Sequence, residues 1–212
     1  MFELIQAGGL LMWPILICSV VALAIIGERL WSLQVQRIAP QDLLPQIWTW
    51  IRNNELNNAR LQDLQLSSPL GKIMASGLTN RSHSREIMKE AIEDSGRHVI
   101  HELERYLNTL GTIAATTPLL GLLGTVIGMI KVFSAITTQG VGDAAPLAGG
   151  ISEALLTTAA GLVVAIPSLM FYRYFRGRVE MLVMLMEEEA MKMLEIMHGE
   201  RESEDNALDI KK

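Results

Sequence analysis

The sequence predicts an all-α integral membrane protein with three transmembrane helices, the second and third of which run on into the cytoplasm. Three observations carry this reading. First, charge vanishes from three windows and crowds the rest of a 212-residue chain that is 50% apolar. Second, the windows Leu10–Gly27, Leu110–Ile130 and Ala144–Tyr172 are each long enough, at about 1.5 Å per residue, to cross a hydrocarbon core of about 30 Å. Third, apolar residues outside the windows recur at helical spacing, and no run alternates as a strand does.

Residues 1–9 read as an outer N-terminal segment, followed by transmembrane helix one over 10–30. The leading MFELIQAGG holds an acid and no base, whereas Arg29 and Arg37 follow the apolar run. That polarity suits an anchor rather than a cleaved signal. Trp13 and Trp31 lie roughly 27 Å apart along a helix and mark its two interfaces.

Residues 31–109 form a cytoplasmic helical domain. Pro40 and Pro45 break the chain before the amphipathic helical stretch LPQIWTWIRNNELNNARLQDL, and residues 67–71 (SSPLG) form a turn. From Arg85 the apolar positions Ile87, Ala91, Ile92, Val99, Leu103, Tyr106, Leu107 and Leu110 recur at helical spacing without a stop signal. Helix two is therefore expected to start in the cytoplasm and to run unbroken to Ile136, its membrane part covering 110–136.

A short outer loop, 137–147, leads to transmembrane helix three over 148–172. Pro146 suits a first helical turn, with Asp143 as its cap. Beyond the membrane, residues 173–212 form a cytoplasmic tail. There Phe175, Val179, Leu182, Met186, Ala190, Met193 and Met197 make an apolar stripe at helical spacing, with the methionines as adaptable core filler. The polar end GERESEDNALDIKK is expected to fray.

Orientation follows from the basic residues. Residues 1–9 and 137–150 contain no Lys or Arg, 28–109 hold ten, and the tail from Arg173 holds seven. The positive-inside rule therefore puts the N-terminus and the loop between helices two and three outside, and the two basic segments in the cytoplasm.

Glu153 is the residue that calls for chemistry. It stands alone in GGISEALLTTAAGLVVAIPSLMF (149–171), where a carboxylate costs several kcal/mol unless something compensates. One reading pairs it with Lys131, at a similar depth in helix two. The other lets Lys131 snorkel outward, leaving Glu153 to face a wet interior. Periodicity puts Thr157 about 40° from Glu153 around the helix and Thr158 about 140° away.

Helix two carries a heptad of small residues, Gly111, Ala114, Pro118, Gly121, Thr125 and Gly128, and Gly124 lies beside it. This face suits close helix packing, and Thr125 either bonds back to its own helix or lines a wet path. Helix three is small and polar over a broad face that includes Gly161, Ala165 and Ser168. It expects neighbours on two sides, which points to an oligomer.

Other chemistries are excluded or weak. A net charge of −5 with no basic, aromatic-interleaved patch argues against nucleic acid. No phosphate-cradling GxxxxGK[ST] motif occurs. His98 and His101 share a helix face without a third ligand, so no metal and no cofactor are expected. Cys18 is single and supports no disulfide framework.

The segments GTIAATTPLLGLLGTVIGMI (111–130) and GGISEALLTTAAGLVVAIPSLMFY (149–172) resemble the paired motif of the MotA/TolQ/ExbB proton-channel family. Three helices with a large first cytoplasmic segment are similar to the ExbB and TolQ branch. The resemblance implies a ring, typically a pentamer, around single transmembrane helices of an ExbD/TolR-like partner, in the bacterial inner membrane, with the N-terminus periplasmic and the C-terminus cytoplasmic. It implies use of the proton-motive force rather than enzymatic catalysis, with the work passed to TonB for outer-membrane transport or to TolA for envelope integrity. By motif, the pathway residues would be Thr125, Glu153 and Thr158, with Thr157 second because spacing rather than motif favours it. Pro118 stands at the family's proline position and would bend helix two.

Overall fold

A computed structural model describes residues 8–140 and 144–198. Among them the chain is helical throughout, without a strand. The helices are α1 (Met12–Ser32), α2 (Val35–Ile38), α3 (Leu43–Arg52), α4 (Asn58–Ser67), α5 (Pro69–Thr79), α6 (Arg85–Leu103), α7 (Leu107–Gln139) and α8 (Ala144–Met197). Among the described residues three stretches are long and apolar enough to cross a membrane: α1, the run Arg85–Thr138 that takes in α7 up to its last residue, and α8. The chain divides into two compact units, one from residues up to 29 with 106–175, the other from 30–105 with 176 onward.

In the first unit α7 and α8 come together through residues with almost no side chain. A Cβ added to Gly121 would meet the backbone of Thr157 and Thr158 at 3.0–3.4 Å, and one on Gly161 would meet the Thr117 carbonyl at 2.8 Å. Gly128 faces Gly150 and Ala154, and Gly124 lies against the Thr157 side chain. Backbones approach this closely only where side chains are absent, which is how helices associate when lipid supplies no hydrophobic drive. Nearer the start of α7, a Cβ added to Gly111 would meet the ring of Tyr172 at 3.1–3.3 Å. Pro118 is inside α7; it cannot donate to the Ala114 carbonyl one turn back, so α7 has a missing bond there.

In the second unit the tail stripe is the core. Phe175 closes the first unit at 1% exposure, and beyond it Val179, Leu182, Met186, Ala190 and Met193 are buried. The short helices supply Leu61, Leu64, Leu70, Met74, Leu78, Met88 and Val99 to the same unit's interior. Two hydroxyls stitch α5 to α6: Ser76 Oγ donates to the Ala91 carbonyl at 3.0 Å and Ser95 Oγ to the Lys72 carbonyl at 3.5 Å. Gly77 lets Ile92 and Met193 close over α5.

Four local expectations are corrected. Helix two is interrupted at residues 104–106: Tyr106 adopts φ 63° and closes α6 off from α7. Left-handed backbone is costly for a side chain of that size, and no sequence signal announced it. The guanidinium of Arg29, on α1, lies 5.5 Å from the Tyr106 ring centroid, a cation–π contact that supports the break from another helix.

Second, α7 continues to Gln139 and α8 starts at Ala144, so the connection is shorter than the 137–147 loop. Pro146 lies in the first turn of α8. Third, the amphipathic stretch is two helices, parted where Asn54 takes φ 53°. Asn57 then caps α4, its side-chain oxygen accepting from the Arg60 N–H at 2.9 Å. Fourth, the turn at 67–71 is a helix junction: Ser68 caps α5 by accepting from the Gly71 N–H at 3.0 Å, and Pro69 takes the first helical position. The expected cap Asp143 and the fraying end lie outside the described residues.

Candidate functional site

The first unit holds the one acidic side chain in the apolar stretch 144–172 of α8. Glu153 receives the Lys131 ammonium on both carboxylate oxygens, at 2.6 and 2.7 Å. The pair ties α7 to α8. Its two ends differ in exposure, 17% for the Glu153 side chain and 53% for Lys131. The carboxylate is therefore the sheltered partner, and the lysine bends in from an open face.

In water a pair this exposed would contribute about 0–1 kcal/mol. Within a bilayer the comparison changes, because an unpaired acid at a helix centre costs about 2.5–3.5 kcal/mol on insertion scales. The pair's value is thus the avoided cost of a bare charge.

The carboxylate has a second neighbour. Gly9, with φ 68°, lies against it so closely that a Cβ there would occupy the place of the Glu153 Oε1 atom. Gly8 is buried beside Met12 and Leu156. The head of α1 therefore covers the side of Glu153 that α7 leaves open. Sequence reasoning missed this contact. The signal available was a Gly-Gly doublet directly before an apolar window.

The threonines divide by role. Thr157, expected beside the carboxylate, is 1% exposed, its hydroxyl 2.9 Å from the Glu153 carbonyl and 3.0 Å from that of Ala154. Its side chain is sealed against Gly124. Spacing put Thr157 on the right side of α8, but that side is filled by α7.

Thr158 crosses between helices, its Oγ1 3.0 Å from the Gly121 carbonyl on α7 and 3.1 Å from the Ala154 carbonyl on its own helix. Such interhelical bonds average about 0.6 kcal/mol in membranes. Thr125 is half-buried and bonds back to the Leu122 carbonyl at 2.6 Å, taking the local of its two alternatives. The structure thus groups Glu153 with Lys131 and Gly9, and Thr157 and Thr158 with Gly121 and Gly124. Thr117, which drew no attention in the sequence, is fully buried and donates to the Ile113 carbonyl at 2.5 Å.

No cluster of three or more metal-ligating side chains occurs among the described residues. His98 and His101 are exposed on α6. What the site does is hold one negative and one positive charge together between two long apolar helices.

A sequence model of the MotA/TolQ/ExbB proton channel family matches residues 65–188. The Synechocystis sp. biopolymer transport protein ExbB-like 3 is 30% identical over 174 residues, 81% of this chain and 83% of its own length. Biopolymer transport protein exbB1 of Vibrio cholerae is 31% identical over 173 residues, 78% of this chain and 75% of its own. The Tol-Pal system protein TolQ of Pseudomonas aeruginosa is 29% identical over 185 residues, 82% and 80% of the respective chains.

Proposed function

This chain belongs to the MotA/TolQ/ExbB proton channel family, in the ExbB/TolQ branch, and on that premise we propose that it is the stator subunit of an inner-membrane motor driven by the proton-motive force. It works with an ExbD/TolR-like single-helix partner to energise TonB-dependent outer-membrane transport. Proton passage is worth about 2.3 kcal/mol per charge per 100 mV. No covalent step is needed from this chain, which makes it a non-enzymatic subunit.

The observation that carries the reading is Glu153, a sheltered carboxylate on a helix that is otherwise apolar at that depth, held by a lysine that has open space to swing into. Thr125 and Thr158 complete the pathway. Glu153 tunes and positions, while the proton-carrying aspartate belongs to the partner's helix. Thr157, together with Gly121, Gly124, Gly128 and Gly161, holds α8 on α7 so that the pathway keeps its shape. Pro118 loosens α7 for movement. The chains assemble as a homo-oligomeric ring, a pentamer, with periplasmic N-termini and cytoplasmic C-termini.

The test replaces Glu153 with Gln and with Ala and measures energised uptake, with assembly checked in parallel. Assembled variants should lose at least about tenfold in rate, equivalent to roughly 1.4 kcal/mol. Assembled variants that work normally would end the proton-path reading.

Two further readings have an observation behind them. The TolQ relative supports a Tol-Pal role, which the same variants would reveal as loss of envelope integrity with uptake intact. The closed ion pair supports a membrane scaffold. Rescue of a misassembled Glu153→Gln by Lys131→Met would favour it.

A further inference from the structure

The shelter of Glu153 comes from two directions, and only one of them is an ion pair. On α7 the Lys131 ammonium grips both carboxylate oxygens. From the α1 side the backbone of Gly9 closes on the same group, leaving no room for even a methyl. Gly9 also leads into α1: its carbonyl accepts from the Met12 N–H at 3.3 Å. Its φ of 68° is open to glycine and unfavourable for other L-residues. Two independent demands, a left-handed backbone and an absent side chain, thus fall on one residue that touches the charged group.

We propose that Gly9 is a positioning residue for Glu153: the Gly8–Gly9 turn at the head of α1 acts as a stop that keeps the carboxylate turned onto Lys131. The stop works by exclusion. With the backbone of Gly9 in place, the carboxylate cannot swing toward α1, and Lys131 is the nearest group that can satisfy it. Release of the carboxylate toward a proton pathway then requires the head of α1 to move. The first helix thereby gains a part in the cycle assigned under the proposed function, on which this inference rests for its meaning but not for its geometry.

The geometry is tested apart from transport by the reactivity of the Lys131 amine. The protein is purified in detergent and treated with a small amine-reactive ester, and Lys131 modification is followed by peptide mass spectrometry. Glu153→Gln supplies the fully released reference. Gly9→Ala introduces both strain and bulk. Gly9→Asn introduces the bulk with a residue that tolerates positive φ, which guards against simple misfolding. Gly140→Ala supplies strain alone, since Gly140 has φ 76° and nothing within 4 Å of its Cβ position.

Both Gly9 variants should raise Lys131 labelling several-fold toward the Glu153→Gln level, and Gly140→Ala should leave it at the wild-type rate. Adding Gly9→Ala to Glu153→Gln should change labelling no further. Wild-type labelling in folded Gly9→Ala and Gly9→Asn, or equal increases in Gly140→Ala, would overturn the proposal. Proton flux in vesicles with the partner subunit is the separate arm. Raised labelling with unchanged flux keeps the positioning role and removes the proton-path reading.

Discussion

Lys131 and Glu153 pose one question from opposite sides, because a charge in the apolar part of the fold needs either a partner or a way out to water. The asymmetry in their exposure predicts an asymmetry in their mutants. Lys131→Met leaves a sheltered carboxylate without its cation and should lower the assembled yield or thermal stability more than Glu153→Gln, which leaves an exposed lysine free to snorkel. Melting of both purified variants checks the order.

Outside the membrane the charges behave differently. Lys192 lies between Glu188 at 2.7 Å and Glu189 at 2.8 Å. Its hydrogen bond and charge lower the Glu188 carboxyl below its ordinary 4.5, and Glu188 and Glu189 raise Lys192 above its ordinary 10.5. The Glu188 contribution is present above pH 4.5 and is lost as pH falls through the lowered value. The Lys192 contribution is present below pH 10.5 and is lost as pH rises through the raised one. Neutral pH lies in the plateau. Lys192→Ala should move the Glu188 titration midpoint upward, measured by carboxyl NMR.

At the scale of elements, the contact between α7 and α8 depends on absent side chains, so glycines of equal helical position should differ sharply in tolerance. Gly124→Val would drive a branched side chain into Thr157, and overpacking of this kind costs about 1–3 kcal/mol. Gly149 meets nothing within 4 Å, so Gly149→Ala should be neutral or stabilising by up to about 1 kcal/mol through helix propensity. Thermal unfolding in detergent separates the two.

The break between α6 and α7 is also an element-scale feature. Tyr106→Gly relieves left-handed strain of roughly 1–2 kcal/mol but removes the ring beneath Arg29, worth about 0.5–2 kcal/mol. The two nearly cancel. Tyr106→Ala keeps the strain and loses the ring, so it should be the less stable of the two by the same assay.

For the molecule as a whole, the exposed apolar faces and the basic segments make predictions about assembly and topology. α7 and α8 leave Leu119, Leu122, Val126, Ile130 and Phe133, and Leu155, Leu162, Val163 and Ile166 exposed in a single chain. Such faces suit lipid or neighbouring copies. Native mass measurement should return five protomers. With Cys18 replaced by serine, a cysteine at Thr137 should react with an impermeant thiol reagent from the outside. A cysteine at Arg176 should react only after the membrane is opened. The reverse pattern would invert the topology read from the basic residues.

Several features were legible from residues alone because they depend on composition and period. Three charge-free windows, the 3.6-residue stripe from Phe175 to Met193 and the lone Glu153 follow from one-dimensional rules of burial. The small-residue heptad announced close packing, and the glycines of α7 carry it. What only the tertiary structure decided concerns choices between neighbours at equal sequence cost. Thr157 or Thr158, pair or no pair for Glu153, a continuous or a broken second helix: each depends on what another helix presents. The break at Tyr106 is held by a guanidinium 77 positions earlier, and the cover over Glu153 comes from Gly9, 144 positions before it. Periodicity tells which side of a helix a residue occupies, but not who fills the space opposite. That is settled by packing, where exclusion acts over ångströms and sequence separation carries no weight.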